Sequence, residues 1–200
     1  FRRGADELHQ EPVWQMTGAD HRPLDHLLLA RSVRRGEFLL ASGRTSSFYI
    51  DCRLTTMSAA GLTLIGRLGL ETIRRRGWTP RAIGGLTLGA DPVAYAIAAA
   101  SAADPPLVDA FSVRKEAKSH GTGRRVEGNL NTGDAVVVVE DVITTGGSAR
   151  EAIAAVQAAG GRVLGVLAVV DREEGGRAAI EATGLEVVAL TTATNLGLGS

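Results

Sequence analysis

Val136-Val137-Val138-Val139-Glu140-Asp141-Val142-Ile143-Thr144-Thr145-Gly146-Gly147-Ser148 reads as a buried strand that ends in two adjacent carboxylates and a turn. A β-branched run without polar alternation belongs to a strand covered on both faces, as in a parallel sheet. Strand is therefore expected over Ala135 to Glu140, and helix over Ser148 to Ala159, closed by Gly160-Gly161. The turn between them places hydroxyls and backbone N–H groups at a helix N-terminus, a ready site for a phosphate. Carboxylates repel phosphate, so Glu140 and Asp141 must face something else. Vicinal sugar hydroxyls are suitable donors, and a carboxylate pair also orients a Mg²⁺ shell. The combination describes a ribose phosphate site at the carboxyl edge of an α/β sheet. The lysine of a Walker A loop is missing, which disfavours nucleotide triphosphate hydrolysis.

Outward from this unit, further strand-then-helix alternation fits the same sheet. Ala82 to Gly84 reads as a strand leading through glycine-rich sequence to a helix opened by Asp91-Pro92. Leu107 to Arg114 is strand-like, and a polar, glycine-rich stretch follows it as far as Gly133. Val163 to Val170 is another buried-type strand, followed by a short helix at Arg177 to Thr183 and a last strand near Val187 to Leu190. Nearer the N-terminus, Leu24, Leu27, Leu28 and Val33 recur at helical spacing from Pro23, and Gly36 ends that helix. Phe38 to Leu40 and Ser47 to Asp51 read as short strands around a Ser42-Gly43-Arg44 turn. A helix then runs from an N-cap at Ser58 through Leu62, Ile65, Leu68 and Ile73 to Gly77. The expected fold is α/β, a doubly wound parallel sheet, with a small N-terminal cap formed before Ser58.

The 200 residues suit one domain, expected over 16–200. Phe1 to Gln15 is polar and aperiodic and precedes Met16, which suggests a non-native leader; a natural disordered extension stays open. Lys plus Arg equal Asp plus Glu at 22 each, so no global field favours nucleic acid or an anionic membrane, and any anion must be held locally. Cys52 is the single cysteine, which excludes an internal disulfide and fits a reducing compartment. No apolar run approaches the ~20 residues of a membrane span, and a cytoplasmic location is expected.

Two charged segments add to the picture. Arg114-Lys115-Glu116-Ala117-Lys118-Ser119-His120-Gly121 gathers three cations and a histidine on a stretch too glycine-rich for a stable helix. Such a loop can close over a polyanion and exclude water; taken alone, a solvated surface loop is an equal reading. Asp171-Arg172 follows the strand ending at Val170, at the sheet edge where a ligand crevice is expected. An arginine there matches a planar carboxylate with two parallel hydrogen bonds, although a charged pair at a strand end is commonly just solvated.

The Val136 to Ser148 segment resembles the phosphoribosyl pyrophosphate signature of type I phosphoribosyltransferases. The basic loop and Asp171-Arg172 are similar to elements of the orotate branch of that family. Ser42 to Asp51 and Gly84 to Pro92 match its N-terminal substrate segment and its pyrophosphate loop less cleanly. The family often carries lysine at the positions of Ala41 and Gly89, and this chain does not.

The resemblance implies transfer of ribose 5-phosphate from phosphoribosyl pyrophosphate to orotate, with Mg²⁺ held mainly through substrate, near Glu140 and Asp141. It implies Lys118, Asp141 and His120 as catalytic residues. Arg114, Lys115, Lys118, His120 and the run Glu140, Asp141, Val142, Ile143, Thr144, Thr145, Gly146, Gly147 and Ser148 would bind phosphoribosyl pyrophosphate. Thr144, Arg172 and Tyr49 would hold orotate. It also implies a homodimer with shared sites. Another base phosphoribosyltransferase, or a regulator of the same fold that senses the pyrophosphate substrate, is the alternative; Arg31, Arg34 and Arg35 give only a small basic cluster for the latter.

Overall fold

The computed structural model describes residues 21–39, 45–116 and 125–198. The elements run α1 (Arg22–Arg31), β1 (Val33–Leu39), β2 (Thr45–Ile50), α2 (Arg53–Thr56), α3 (Ala59–Arg75), β3 (Ala82–Leu86) and α4 (Ala90–Ala103). Then come β4 (Asp109–Val113), β5 (Val126–Gly128), β6 (Ala135–Ile143), α5 (Gly147–Ala158), β7 (Arg162–Asp171), α6 (Gly176–Glu181) and β8 (Glu186–Thr192).

Six strands form one sheet in the order β5-β4-β3-β6-β7-β8, parallel except for β5, which pairs antiparallel with β4. The run of valines explains the centre of this sheet. Val137 and Val139 point into one core with Leu167, Val169, Ile65 and Ile97, beneath α1, α3 and α4. Val136 and Val138 enter the opposite core with Val166, Ala168, Ile153 and Val156, beneath α5 and α6. Burial on both faces is why the strand shows no polar alternation, and each such side chain contributes about 1.5–3 kcal/mol. From β3 the chain winds outward to β4 and then returns to lay β6 on the other side of β3. That reversal opens a crevice beyond the carboxyl ends of β3 and β6, where open α/β sheets bind ligands.

The cap differs from expectation. The helix from Pro23 stops at Arg31 rather than Gly36, with Ser32 as its C-cap. Ser32 Oγ pairs with Thr55 Oγ1 at 2.7 Å, and Val33 is drawn into an antiparallel hairpin with β2, whose register shifts between Arg35 and Phe38. Pairing with β2 outweighs the helical spacing of Val33. The Ser42-Gly43-Arg44 turn and the 1–15 segment lie outside the described residues. The Ser58 cap stands: its Oγ accepts from the Gly61 N–H at 3.1 Å. Strand β6 extends beyond Glu140 to Ile143, whereas β4 is shorter than expected. Among the described residues no helix is long and apolar enough to cross a membrane.

Candidate active site

A crevice of about 1240 Å³ lies along the sheet edge and is lined by Tyr49, Arg114, Lys115, Glu140, Asp141, Val142, Thr144, Thr145, Ser148 and Arg172, all expected from sequence. A smaller adjoining hollow of about 130 Å³ is formed by residues 142–149 together with Glu140. It sits at the N-terminus of α5. Gly146, the N-cap, has φ +76°, a left-handed turn that L side chains rarely adopt, and no side chain caps the helix. The first N–H groups of α5 are thus left for an anion, the arrangement a phosphate needs.

Beside this hollow, Glu140 is buried and its Oε2 has no hydrogen-bond partner among the described residues. Burial, followed by the neighbouring Asp141 charge, pushes its carboxyl well above the ordinary range, so Glu140 keeps its proton more readily than a free acid. Asp141 is also raised by burial, but hydrogen bonding with the Glu140 carboxyl, the Val142 N–H that it accepts at 2.9 Å and the Arg53 charge oppose the rise. Gly89 lies directly against it: a Cβ there would come within 2.5 Å of Asp141 Oδ1. The backbone of the β3–α4 loop therefore approaches the carboxylate where the resemblance anticipated a lysine side chain.

That loop is tied down by a network the sequence did not reveal. Asp91, in the first turn of α4, accepts from Thr87 Oγ1 and, at 2.7 Å, from Ser112 Oγ, which pairs with Tyr95 OH at 2.9 Å. Its residues are ordinary helix-opening and strand residues, and only the three-dimensional fold brings them together. Arg53 was missed for a similar reason. It grips Asp51 with two hydrogen bonds, at 2.8 and 3.1 Å, on the crevice wall.

The start of the basic segment is fixed. Arg114 N–H donates to Arg125 O at 2.8 Å, and Arg125 Nη2 returns to the carbonyls of Arg114 and Lys115 at 3.0 and 2.9 Å. Lys118 and His120 lie outside the described residues. Of the Asp171-Arg172 pair, Asp171 turns inward: it is buried, and accepts from Arg177 Nε at 2.8 Å and the Glu173 N–H at 2.9 Å. Arg172 lines the crevice, its Cζ 4.6 Å from the centroid of the Phe48 ring, and Nη2 pairs with Glu174 Oε1 at 2.7 Å. Tyr49 is half exposed and tilts against Phe38, with ring centroids 5.8 Å apart.

A parallel sheet whose carboxyl edge joins an uncapped helix N-terminus to adjacent carboxylates suits an enzyme that handles a phosphorylated sugar. Residues 57–187 match the phosphoribosyl transferase domain. The orotate phosphoribosyltransferase of Rhodopirellula baltica is 45% identical over 183 residues, covering 90% of this chain and 95% of the relative. A crystal structure of the Mycobacterium tuberculosis orotate phosphoribosyltransferase superposes with a TM-score of 0.79 at 46% identity, covering 89% of this chain and 99% of that one. The same enzyme in complex with 5-phospho-α-D-ribosyl 1-diphosphate gives 0.75 at 43% identity, with the same coverage of both chains. This chain belongs to the phosphoribosyltransferase family, in its orotate branch.

Proposed function

We propose that this chain transfers ribose 5-phosphate from phosphoribosyl pyrophosphate to orotate, giving orotidine monophosphate and pyrophosphate for pyrimidine biosynthesis. The observation that carries the reading is the meeting, in one crevice, of the α5 phosphate nest, the Glu140–Asp141 carboxylates and Arg172. Residues Thr144 to Ser148 receive the 5′-phosphate on backbone N–H groups and hydroxyls. Glu140 and Asp141 accept from the ribose hydroxyls. Arg172 holds the orotate carboxylate, with Thr144 and Tyr49 flanking the base.

A ring nitrogen of orotate attacks the anomeric carbon as the bond to pyrophosphate oxygen breaks. Positive charge grows on the ribose and negative charge on the leaving group, so positioning and anion stabilisation dominate catalysis. Arg114 and Lys115, with Lys118 and His120 of the same segment, face the departing pyrophosphate.

Mg²⁺ fits this donor set as a partner of the substrate rather than of a protein cage. The described lining of the crevice carries seven carboxylates against four cationic side chains, a poor match for a polyanion on its own. Among the described residues no group of three or more His, Cys, Asp or Glu could hold a metal alone. Glu140 and Asp141 would lie near a Mg²⁺ held mainly through the substrate, which would supply charge neutralisation of pyrophosphate.

The functional unit in this reading is a homodimer. Arg114 and Lys115 line their own chain's crevice, and in the dimer Arg114, with Lys118 and His120, also serves the neighbour's site, while Lys115 acts with the Glu140–Ser148 motif of that neighbouring chain. An apolar groove of about 1010 Å³ between α3 and α4, lined by Leu62, Leu70, Ala96, Ala99 and Ala100, offers a face for a second copy. A buried, unbridged Cys52 is in keeping with a cytoplasmic enzyme.

Turnover monitored by the loss of orotate absorbance, with uracil and purine bases in parallel, tests the reading. Preference for orotate supports it. Preference for a purine would favour a different branch of the family, and binding without turnover a sensor of the pyrophosphate substrate.

A further inference from the structure

Resting on the assignment of Arg172 to the orotate carboxylate, we propose that Glu174 is a built-in substitute for that carboxylate. It occupies Arg172 in the empty site, is displaced by substrate, and thereby sets the affinity and selectivity for the base.

A guanidinium offers a carboxylate few usable edges. A carboxylate held by two parallel hydrogen bonds uses one of two edges, Nε with Nη2 or Nη1 with Nη2, and both include Nη2. In this site Nη2 already has two holders: it donates to Ser46 Oγ at 3.3 Å and lies 2.7 Å from Glu174 Oε1 in an ion pair. Nε is buried and has no hydrogen-bond partner among the described residues. An incoming carboxylate must therefore take Nη2 from one of the two present holders.

Ser46 lies on β2, the strand that also brings Phe48 beneath the guanidinium, so its contact belongs to the docking of the cap. Glu174 stands on the turn after β7 and lines the open crevice. Its contact is the shorter one, and it is the one that lines the crevice a ligand would enter. The pair is well enclosed, with side chains 4% and 19% exposed, so Arg172 without a counter-charge would be a desolvated cation. Glu174 satisfies it until a substrate carboxylate arrives. A base lacking that carboxylate has no group to exchange and leaves the internal pair in place.

Exchange predicts an effect opposite in sign to that of a structural residue. Glu174→Gln, uncharged and of the same shape, and Glu174→Ala should each lower both the KM and the equilibrium Kd for orotate, by about threefold or more. The KM for phosphoribosyl pyrophosphate should stay as it was, and weak turnover of uracil should not improve, so discrimination in favour of orotate increases. Unchanged or weaker orotate binding in the Gln variant overturns the proposal, as does a parallel rise in KM for both substrates. Arg172→Ala separates the two levels of inference. Loss of orotate binding there, without gain in Glu174→Gln, rejects the exchange alone. Wild-type orotate binding in Arg172→Ala rejects the carboxylate assignment, and the exchange with it.

Discussion

Glu140 and Asp141 are adjacent acids with different surroundings, and the difference is measurable. Burial and the Asp141 charge raise the Glu140 carboxyl well above its ordinary value of 4.5. The folded protein therefore holds this proton at pH values where the unfolded chain has released it. Between the two values the native state binds more protons, and stability falls as pH rises. Glu140→Gln should remove that contribution, giving a melting temperature that declines less steeply above the ordinary carboxylate range and lies above that of the wild type there. Because the amide resembles a protonated acid, the variant should also weaken binding of phosphoribosyl pyrophosphate less than Asp141→Asn does. Calorimetry that ranks the two the other way would show that Glu140 works as the anion. Gly89 invites a second test. A side chain there would displace the Asp141 carboxylate, so Gly89→Ala should raise the KM for phosphoribosyl pyrophosphate, and Gly89→Lys should fail to improve activity despite its added charge. Steady-state kinetics of both variants would check this.

The proposed phosphate nest depends on how β6 gives way to α5. Gly146 has φ +76°, and a Cβ on it would lie 2.8 Å from the Gly176 carbonyl oxygen on the first turn of α6. Gly184 shares the left-handed conformation, at φ +84°, with no atom within 4 Å of its would-be Cβ. Gly146→Ala should therefore destabilise by about 1–3 kcal/mol and also reduce affinity for phosphoribosyl pyrophosphate. Gly184→Ala should show backbone strain alone, with ligand binding intact. Denaturant unfolding and calorimetry on the pair would resolve the two effects. The β6–α5 unit was legible in the sequence because burial on both faces, terminal carboxylates and a glycine-rich turn are all local signals. The Ser58 cap was legible for the same reason. Strand β5 is three residues long and α2 four, too short for any period to register. The end of α1 was misplaced because Ser32 and Val33 take their structure from Thr55 and Ile50, partners distant along the chain. Arg53, Asp91 and Glu174 gain their places in the crevice only through tertiary structure, which no spacing rule encodes.

For the whole molecule, the central expectation is a site assembled from two chains. Lys118→Ala and Asp141→Asn homodimers should each be nearly inactive, since every site lacks one part. Mixed in equal amounts and allowed to exchange, they should form about half mixed dimers, each with one intact site and one doubly defective site, restoring about a quarter of wild-type sites. Exchange demonstrated by mass or fluorescence without recovered activity would show that each chain serves its own crevice. The contact between the cap and the end of β7 bears on how such enzymes diversify. Ser46 and Arg172 are 126 positions apart along the chain yet hydrogen-bonded, and Phe48 lies under the same guanidinium. Recombination between related genes that exchanged only the N-terminal segment would separate Arg172 from the ring and hydroxyl that orient it. Only parents with compatible residues at both places would yield active offspring. On the proposed assignment of Arg172 to the orotate carboxylate, base preference is inherited as a pair of distant segments, and drift in one constrains what the other can become.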